Sequence, residues 1–239
     1  MAEKGSSVDM RLFVAPTLIS VATFAVVYIS TAVFGCNPGI PKGDVATGPM
    51  AAAPIMTDRP EAELWVVCSG CHQPDGSGMP GLAPGLNNQA FLTAASDDFL
   101  YKTIAEGRPG TPMMAFKAQM SEQELQRMVK YVRSWQTEPA LPLDHAKKLS
   151  GDPKAGAELF DSICSKCHGP NGEGYAAGGS GTAIRNPNFL AAASDAYLET
   201  IIVKGRPGTP MRGFRGPDGL GNLNDQEIGD VVAYLRSGI

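Results

Sequence analysis

The sequence predicts an all-α chain in which one long apolar segment precedes two helical units that repeat each other. Three observations carry this. Residues 12–35 contain no charged side chain. The stretch "GRPGTPM" stands at 107–113 and again at 205–211, 98 positions apart. Both copies lie between segments whose apolar residues recur at helical spacing, and the alternation expected of a half-buried strand is missing.

The first element is the apolar segment. Its 24 residues, Leu12 to Gly35, are enough to cross a hydrocarbon core of about 30 Å as a helix. The leader before it balances Lys4 and Arg11 against Glu3 and Asp9, whereas a cleaved secretory signal has a positive leader and a shorter apolar run. Residues 1–35 are therefore expected to form a transmembrane anchor. A second route stays open, because Cys36 follows "VFG" much as the acylated cysteine of a bacterial lipoprotein follows its signal, although Phe34 is an unusual residue there. Both routes tether the chain to a membrane. Residues 36–58, rich in Pro, Gly and Ala and without apolar periodicity, read as a flexible linker.

Two aligned units follow, at 59–139 and 153–239, joined by a connector at 140–152. Cys68 aligns with Cys164 and His72 with His168 at an offset of 96, Phe91 with Phe189 and Met113 with Met211 at 98, and Tyr131 with Tyr234 at 103. Each unit opens with a short amphipathic helix that Pro60 or Pro153 can start. After a Gly- and Asn-rich loop comes a helix capped by Ser96 or Ser194 and stopped by Gly107 or Gly205. The last helix has its apolar face at Leu125, Met128, Val129 and Val132, matched by Ile228, Val231, Val232 and Leu235. At about 80 residues each, the units are of a size at which a bound cofactor often supplements the hydrophobic core.

The formal net charge of −4 and the lack of a basic tract exclude nucleic acid as an expected partner. Cysteine placement says more. Of five cysteines, four form the motifs "CSGCH" at 68–72 and "CSKCH" at 164–168. Cys-x-x-Cys-His is the pattern for covalent attachment of c-type haem: two thiols form thioethers to the porphyrin vinyl groups, and the next residue brings an imidazole to the iron. A thioredoxin-like pair would want a βαβ setting, and adjacent Cys and His side chains converge poorly on one tetrahedral zinc. Two covalently bound haem c groups are expected. His145, the third histidine, lies in the connector and reads as a solvated side chain.

With these motifs in place, each unit resembles a class I cytochrome c. That resemblance implies His72 and His168 as proximal iron ligands and a methionine on a later loop as the distal one. It also implies a proline carbonyl that orients each imidazole, for which Pro74 in "CHQP" and Pro170 in "CHGP" stand two residues after the histidines. The second unit holds a single methionine, Met211, and among Met79, Met113, Met114, Met120 and Met128 only Met113 aligns with it. Met114 remains a competitor, since a slip of one residue in "TPMM" would exchange the two. Arg108 and Arg206 are candidate partners for haem propionates. In the family a small residue on the first helix crosses an aromatic on the last. Gly156, Phe160 and Tyr234 fit this in the second unit, while Glu61 aligns with Gly156 in the first.

Haems with both axial positions filled suit one-electron transfer, and no separate catalytic centre or small-molecule site is visible. The layout resembles that of membrane-anchored dihaem cytochromes that serve as subunits of bacterial respiratory or photosynthetic electron-transfer complexes. The resemblance implies a relay between a quinol-oxidising complex and an oxidase, a reaction centre or a soluble carrier. The haem units would then lie on the periplasmic face of the membrane. The competing expectation is a dihaem redox enzyme of the peroxidase or thiosulfate-oxidising type, which also carries two such motifs.

Overall fold

In the computed structural model, residues 59–238 are described, and all of them belong to one compact unit. The expected anchor, the linker and Cys36 lie outside the described residues. Among the described residues there are α-helices and isolated β-bridges but no strands, which agrees with the all-α expectation. No helix among them is long and apolar enough to cross a membrane.

The first repeat contains α1 (Glu61–His72), α2 (Gln89–Ala94), α3 (Asp97–Glu106) and α4 (Glu122–Arg133). The second contains α5 (Pro153–Leu159), α6 (Ser165–His168), α7 (Pro187–Ala192), α8 (Asp195–Lys204) and α9 (Asp225–Arg236). Their starts follow from local chemistry. Ser96 and Ser194 accept from the amides of Phe99 and Tyr197 at 3.0 and 3.1 Å, relieving amides that a helix start otherwise leaves unpaired. Ser121 with Glu124 and Asn224 with Glu227 form reciprocal capping boxes on α4 and α9.

Several short elements escaped the sequence pattern. Inside the Gly- and Asn-rich loops sit the short helices α2 and α7, capped by Asn88 and Asn186, which accept from the amides of Phe91 and Phe189. Between α5 and α6 the chain makes a π turn, Phe160–Cys164. This wider turn accommodates the one extra residue that separates Phe160 from Cys164, compared with Trp65 and Cys68.

The helix crossings differ between the repeats. At Gly156 a Cβ would lie 1.9 Å from the Asp230 carbonyl oxygen, so α5 and α9 touch backbone to backbone, and Phe160 packs on Tyr234 at 5.1 Å. In the first repeat Trp65 wedges the crossing, 5.2 Å from Tyr131 and 5.0 Å from Trp135. Glu61, at the position equivalent to Gly156, faces Arg127 at 4.0 Å.

One arginine per repeat holds the C-terminal ends of the short helices. Arg133 donates to Asp97 at 2.7 Å and to the carbonyls of Leu92 and Ala95, both at 2.5 Å. Arg236 does the same with Asp195, Leu190 and Ala193. A cation there satisfies carbonyls that have no helical partner. The connector lies along this region: Leu141 donates its amide to Thr93, Leu149 donates to Asp195, and the exposed His145 sits 2.8 Å from the Ser194 hydroxyl.

The apolar core is continuous across the two repeats. Phe99 and Tyr197, which occupy equivalent positions, stack on each other at 4.7 Å. Around them two pairs of contacts answer each other. Asn88 donates to the Pro207 carbonyl at 2.8 Å, and Asn186 donates to the Pro109 carbonyl at 2.7 Å. Arg206 lies over Phe91 at 5.1 Å, and Arg108 lies over Phe189 at 4.7 Å. The repeats thus face each other about an approximate two-fold axis, using the same patch from each.

Candidate haem sites

Helix α1 carries Cys68, Cys71 and His72, and the π turn with α6 carries Cys164, Cys167 and His168. Helical spacing of three and four residues puts each cysteine pair and its histidine on neighbouring positions of one surface. None of these four cysteines is in a disulfide. Burial pushes the Cys68 and Cys164 thiols up to about 11, so both carry their proton in the neutral range. Among the described residues no three His, Cys, Asp or Glu side chains gather into a metal-binding group.

Both imidazoles are buried and oriented by a main-chain carbonyl. His72 Nδ1 lies 2.9 Å from the Pro84 oxygen and His168 Nδ1 lies 2.8 Å from the Thr182 oxygen. A carbonyl can only accept, so Nδ1 carries the proton and the Nε2 lone pair is left for another partner. Burial lowers the pKa of each ring; for His72 the Arg108 guanidinium adds to this.

These partners correct the expectation for Pro74 and Pro170. The Pro74 carbonyl accepts from the Trp65 indole at 3.2 Å instead. The residue after each histidine, Gln73 or Gly169, has positive φ of 64° or 80° and turns the chain away. The chain returns to the ring only 12 residues later in the first repeat and 14 in the second. Nothing periodic in the sequence marks that return, although "AP" at 83–84 and "TA" at 182–183 follow the glycines that shape the loops.

Every letter of "GRPGTPM" has a structural task. Gly107 has φ 62°, and a Cβ there would lie 2.4 Å from the Met114 carbonyl carbon; Gly205 has φ 68° and the same conflict with Arg212 at 2.3 Å. The amides of Arg108 and Arg206 donate to the carbonyls of Met113 and Met211 at 2.7 and 2.6 Å. Thr111 and Thr209 donate their hydroxyls to the arginine carbonyls at 2.7 Å and accept from the methionine amides at 3.2 Å. The loop closes on itself and holds the methionine at a fixed point, with the prolines limiting its remaining freedom.

Met113 and Met211 are half-buried and pack on the apolar core, whereas Met114 turns outward and is 54% exposed. Met120 and Met128 are core residues, and Met79 lies at the surface. Arg108 and Arg206 sit at the contact between the repeats, each with a buried Nε that has no hydrogen-bond partner. Burial lowers the pKa of Arg108.

The donor set fits haem c. It offers two unpaired thiols, an imidazole with Nε2 available and a thioether on a locked loop, twice over. The orphaned arginine donors suit an anionic group such as a propionate. At Gly181 a Cβ would come within 2.7 Å of the His168 ring, so the glycine clears the space beside that imidazole.

Comparison with known proteins agrees with this chemistry. The family described as Cytochrome c matches residues 153–238, and that described as Cytochrome C oxidase, cbb3-type, subunit III matches residues 57–132. The chain is 30% identical to the Cbb3-type cytochrome c oxidase subunit FixP of Azorhizobium caulinodans over 149 residues, covering 59% of this chain and 47% of that protein. It is 28% identical to the cytochrome c4 of Thiocapsa roseopersicina over 209 residues, covering 79% of this chain and 97% of that protein. It is 31% identical to cytochrome c-554(547) of Halothiobacillus neapolitanus over 91 residues, covering 37% of this chain and 98% of that protein. The chain spans about half the length of the FixP relatives it matches. Two matched cytochrome c segments, each with its own Cys-x-x-Cys-His motif, carry two covalently bound haem c groups, and the chain belongs to the c-type cytochromes.

Proposed function

We propose that this chain is a membrane-tethered dihaem cytochrome that relays single electrons as a subunit of a larger complex. It would stand between a quinol-oxidising complex and a terminal oxidase, a reaction centre or a soluble carrier. Cys68 and Cys71 hold one haem and Cys164 and Cys167 the other. His72 with Met113, and His168 with Met211, supply the axial ligands. Arg108 and Arg206 offer their unpaired Nε–H groups to propionates. Haem c supplies a one-electron couple whose potential His/Met ligation raises relative to bis-histidine.

The observation that carries this reading is the equivalence of the two methionine loops. Each closes through the same arginine amide and threonine hydroxyl, and each directs its methionine toward the core. A site for bond-making chemistry needs a vacant or labile position in one repeat, and neither loop is built differently enough to provide one. The cbb3-type and c4 relatives support a relay within a redox assembly. The charge-free segment at 12–35 supports attachment to a membrane, and thioether formation outside the bacterial cytoplasm supports the periplasmic face.

Carbon monoxide tests the proposal. The reduced, fully loaded protein should bind it slowly and far below one equivalent per haem. Prompt stoichiometric binding at one haem would establish an open iron and overturn the pure relay in favour of a dihaem redox enzyme.

A further inference from the structure

The approximate two-fold symmetry is broken at one point that bears on the sites. Arg206 belongs to the second repeat, yet its Nη2 donates to the Gly85 carbonyl of the first at 2.6 Å. Gly85 follows Pro84, whose carbonyl holds His72 Nδ1 at 2.9 Å. The Arg206 amide, for its part, donates to the Met211 carbonyl at 2.6 Å. An unbroken path of hydrogen bonds and one peptide unit therefore joins the methionine loop of the second repeat to the histidine of the first.

The reciprocal path is open. Arg108 also bonds its own methionine carbonyl, Met113, at 2.7 Å. Its guanidinium lies over Phe189 but, among the described residues, makes no hydrogen bond to the segment around Thr182 that orients His168. Ala183 stands where Gly85 aligns.

We propose that Arg206 is a positioning residue for His72, so that the second repeat sets the basicity of the first repeat's proximal imidazole while the first repeat has no such hold on the second. The physical reason is the role of the carbonyl. A carbonyl held firmly against Nδ1–H fixes the ring and strengthens the imidazole as a ligand. The segment 83–86 is loop, and the Arg206 bond pins it from across the interface. Charge alone does not do this: a lysine at 206 keeps the cation but lacks the planar fork that reaches Gly85 while stacking on Phe91.

This inference rests on the assignment of His72 as proximal ligand, and the test separates the two. In the full-length, haem-loaded, reduced protein, NMR with ring-labelled histidine should show His72 signals shifted by the haem ring current; ordinary imidazole shifts would refute the ligand assignment itself. Given that signal, Arg206→Lys should speed solvent exchange of His72 Nδ1–H about tenfold, the scale of losing one hydrogen bond, and leave His168 unchanged. The midpoint of the first-repeat couple should rise while that of the second stays, because the loosened imidazole donates less to the iron. Arg206→Gln, too short to span to Gly85, should speed His72 exchange as Arg206→Lys does. The proposal is overturned if His72 exchange stays within about twofold of the parent in both Arg206 variants, or if His168 moves as much as His72.

Discussion

Replacing Gly156 by alanine places one methyl group where α5 meets α9. Its Cβ would sit 1.9 Å from the Asp230 carbonyl oxygen, 2.4 Å from that carbonyl's carbon and 2.9 Å from the Tyr234 Cβ. Ordinary contact is about 3.5 Å, so the helices would have to part by about 1.6 Å. The clash is with backbone, which no rotamer change can relieve. Neighbouring glycines offer no slack either, since Gly151 and Gly229 are similarly close, a Cβ on Gly151 meeting the Gly229 carbonyl at 2.3 Å. A separation of that size forfeits much of the attraction along the seam. We expect a loss of about 3 kcal/mol, the upper end for overpacking. In a unit of this size that lowers the melting temperature by about 6–12 °C. Denaturation of the loaded protein, followed in the far ultraviolet and in the haem band, measures it. Gly70→Ala is the control, because a Cβ there meets nothing within 4 Å; it should be neutral or stabilising by up to about 1 kcal/mol. A Gly156→Ala variant within about 1 kcal/mol of the parent would refute the close crossing and the reasoning built on it.

Three further outcomes are expected. Gln73 occupies positive φ of 64° where its counterpart is Gly169, so Gln73→Gly should stabilise the protein by about 0.5–1 kcal/mol in denaturant titration, with equal or lower stability counting against strain there. Hydrogen bonding from Arg59 and then Ser121 holds the buried Glu124 carboxyl at about 2; its folded pKa lies below the unfolded one, so its contribution is complete above about pH 5 and fades as pH falls through 4 toward 2. Glu124→Gln should flatten the acid limb of a stability-against-pH curve and lose about 1–3 kcal/mol at neutral pH, and an unaltered acid limb would exclude this pair as a source of acid sensitivity. Because Met114 is exposed and Met113 is not, Met114→Leu should leave the methionine-ligation spectrum intact and Met113→Leu should abolish it at one haem; the opposite result would exchange their roles.

Much of this structure was legible where the chemistry is local. The motif, the serine caps and the last-helix faces depend on residues within a turn or two of each other, so spacing alone reveals them. The two copies of "GRPGTPM" also disclosed themselves, because the arginine, threonine and methionine of each bond to one another within the same loop. Pro84 and Thr182 escaped because a carbonyl carries no sequence signature, and the loop that brings it back is irregular. Asn88 and Asn186 looked like turn residues, and half of each side chain does cap a helix. The other half reaches across to the opposite repeat, and no periodicity within one unit records a bond between two. The extra residue before Cys164 is countable in the sequence, but the π turn that absorbs it shows only in the folded chain.

The stacking of Phe99 on Tyr197 has a consequence of its own. In an assembly of two identical chains every substitution appears twice, so a contact on the symmetry axis must suit itself and no favourable asymmetry can be introduced alone. Joining the halves in one chain lifts that restriction. Phenylalanine can face tyrosine, a glycine can hold the place that an alanine holds in the other half, and one arginine can bond across while its twin does not. Covalent linkage thus lets two near-copies become an upstream and a downstream partner without giving up the interface that holds them together.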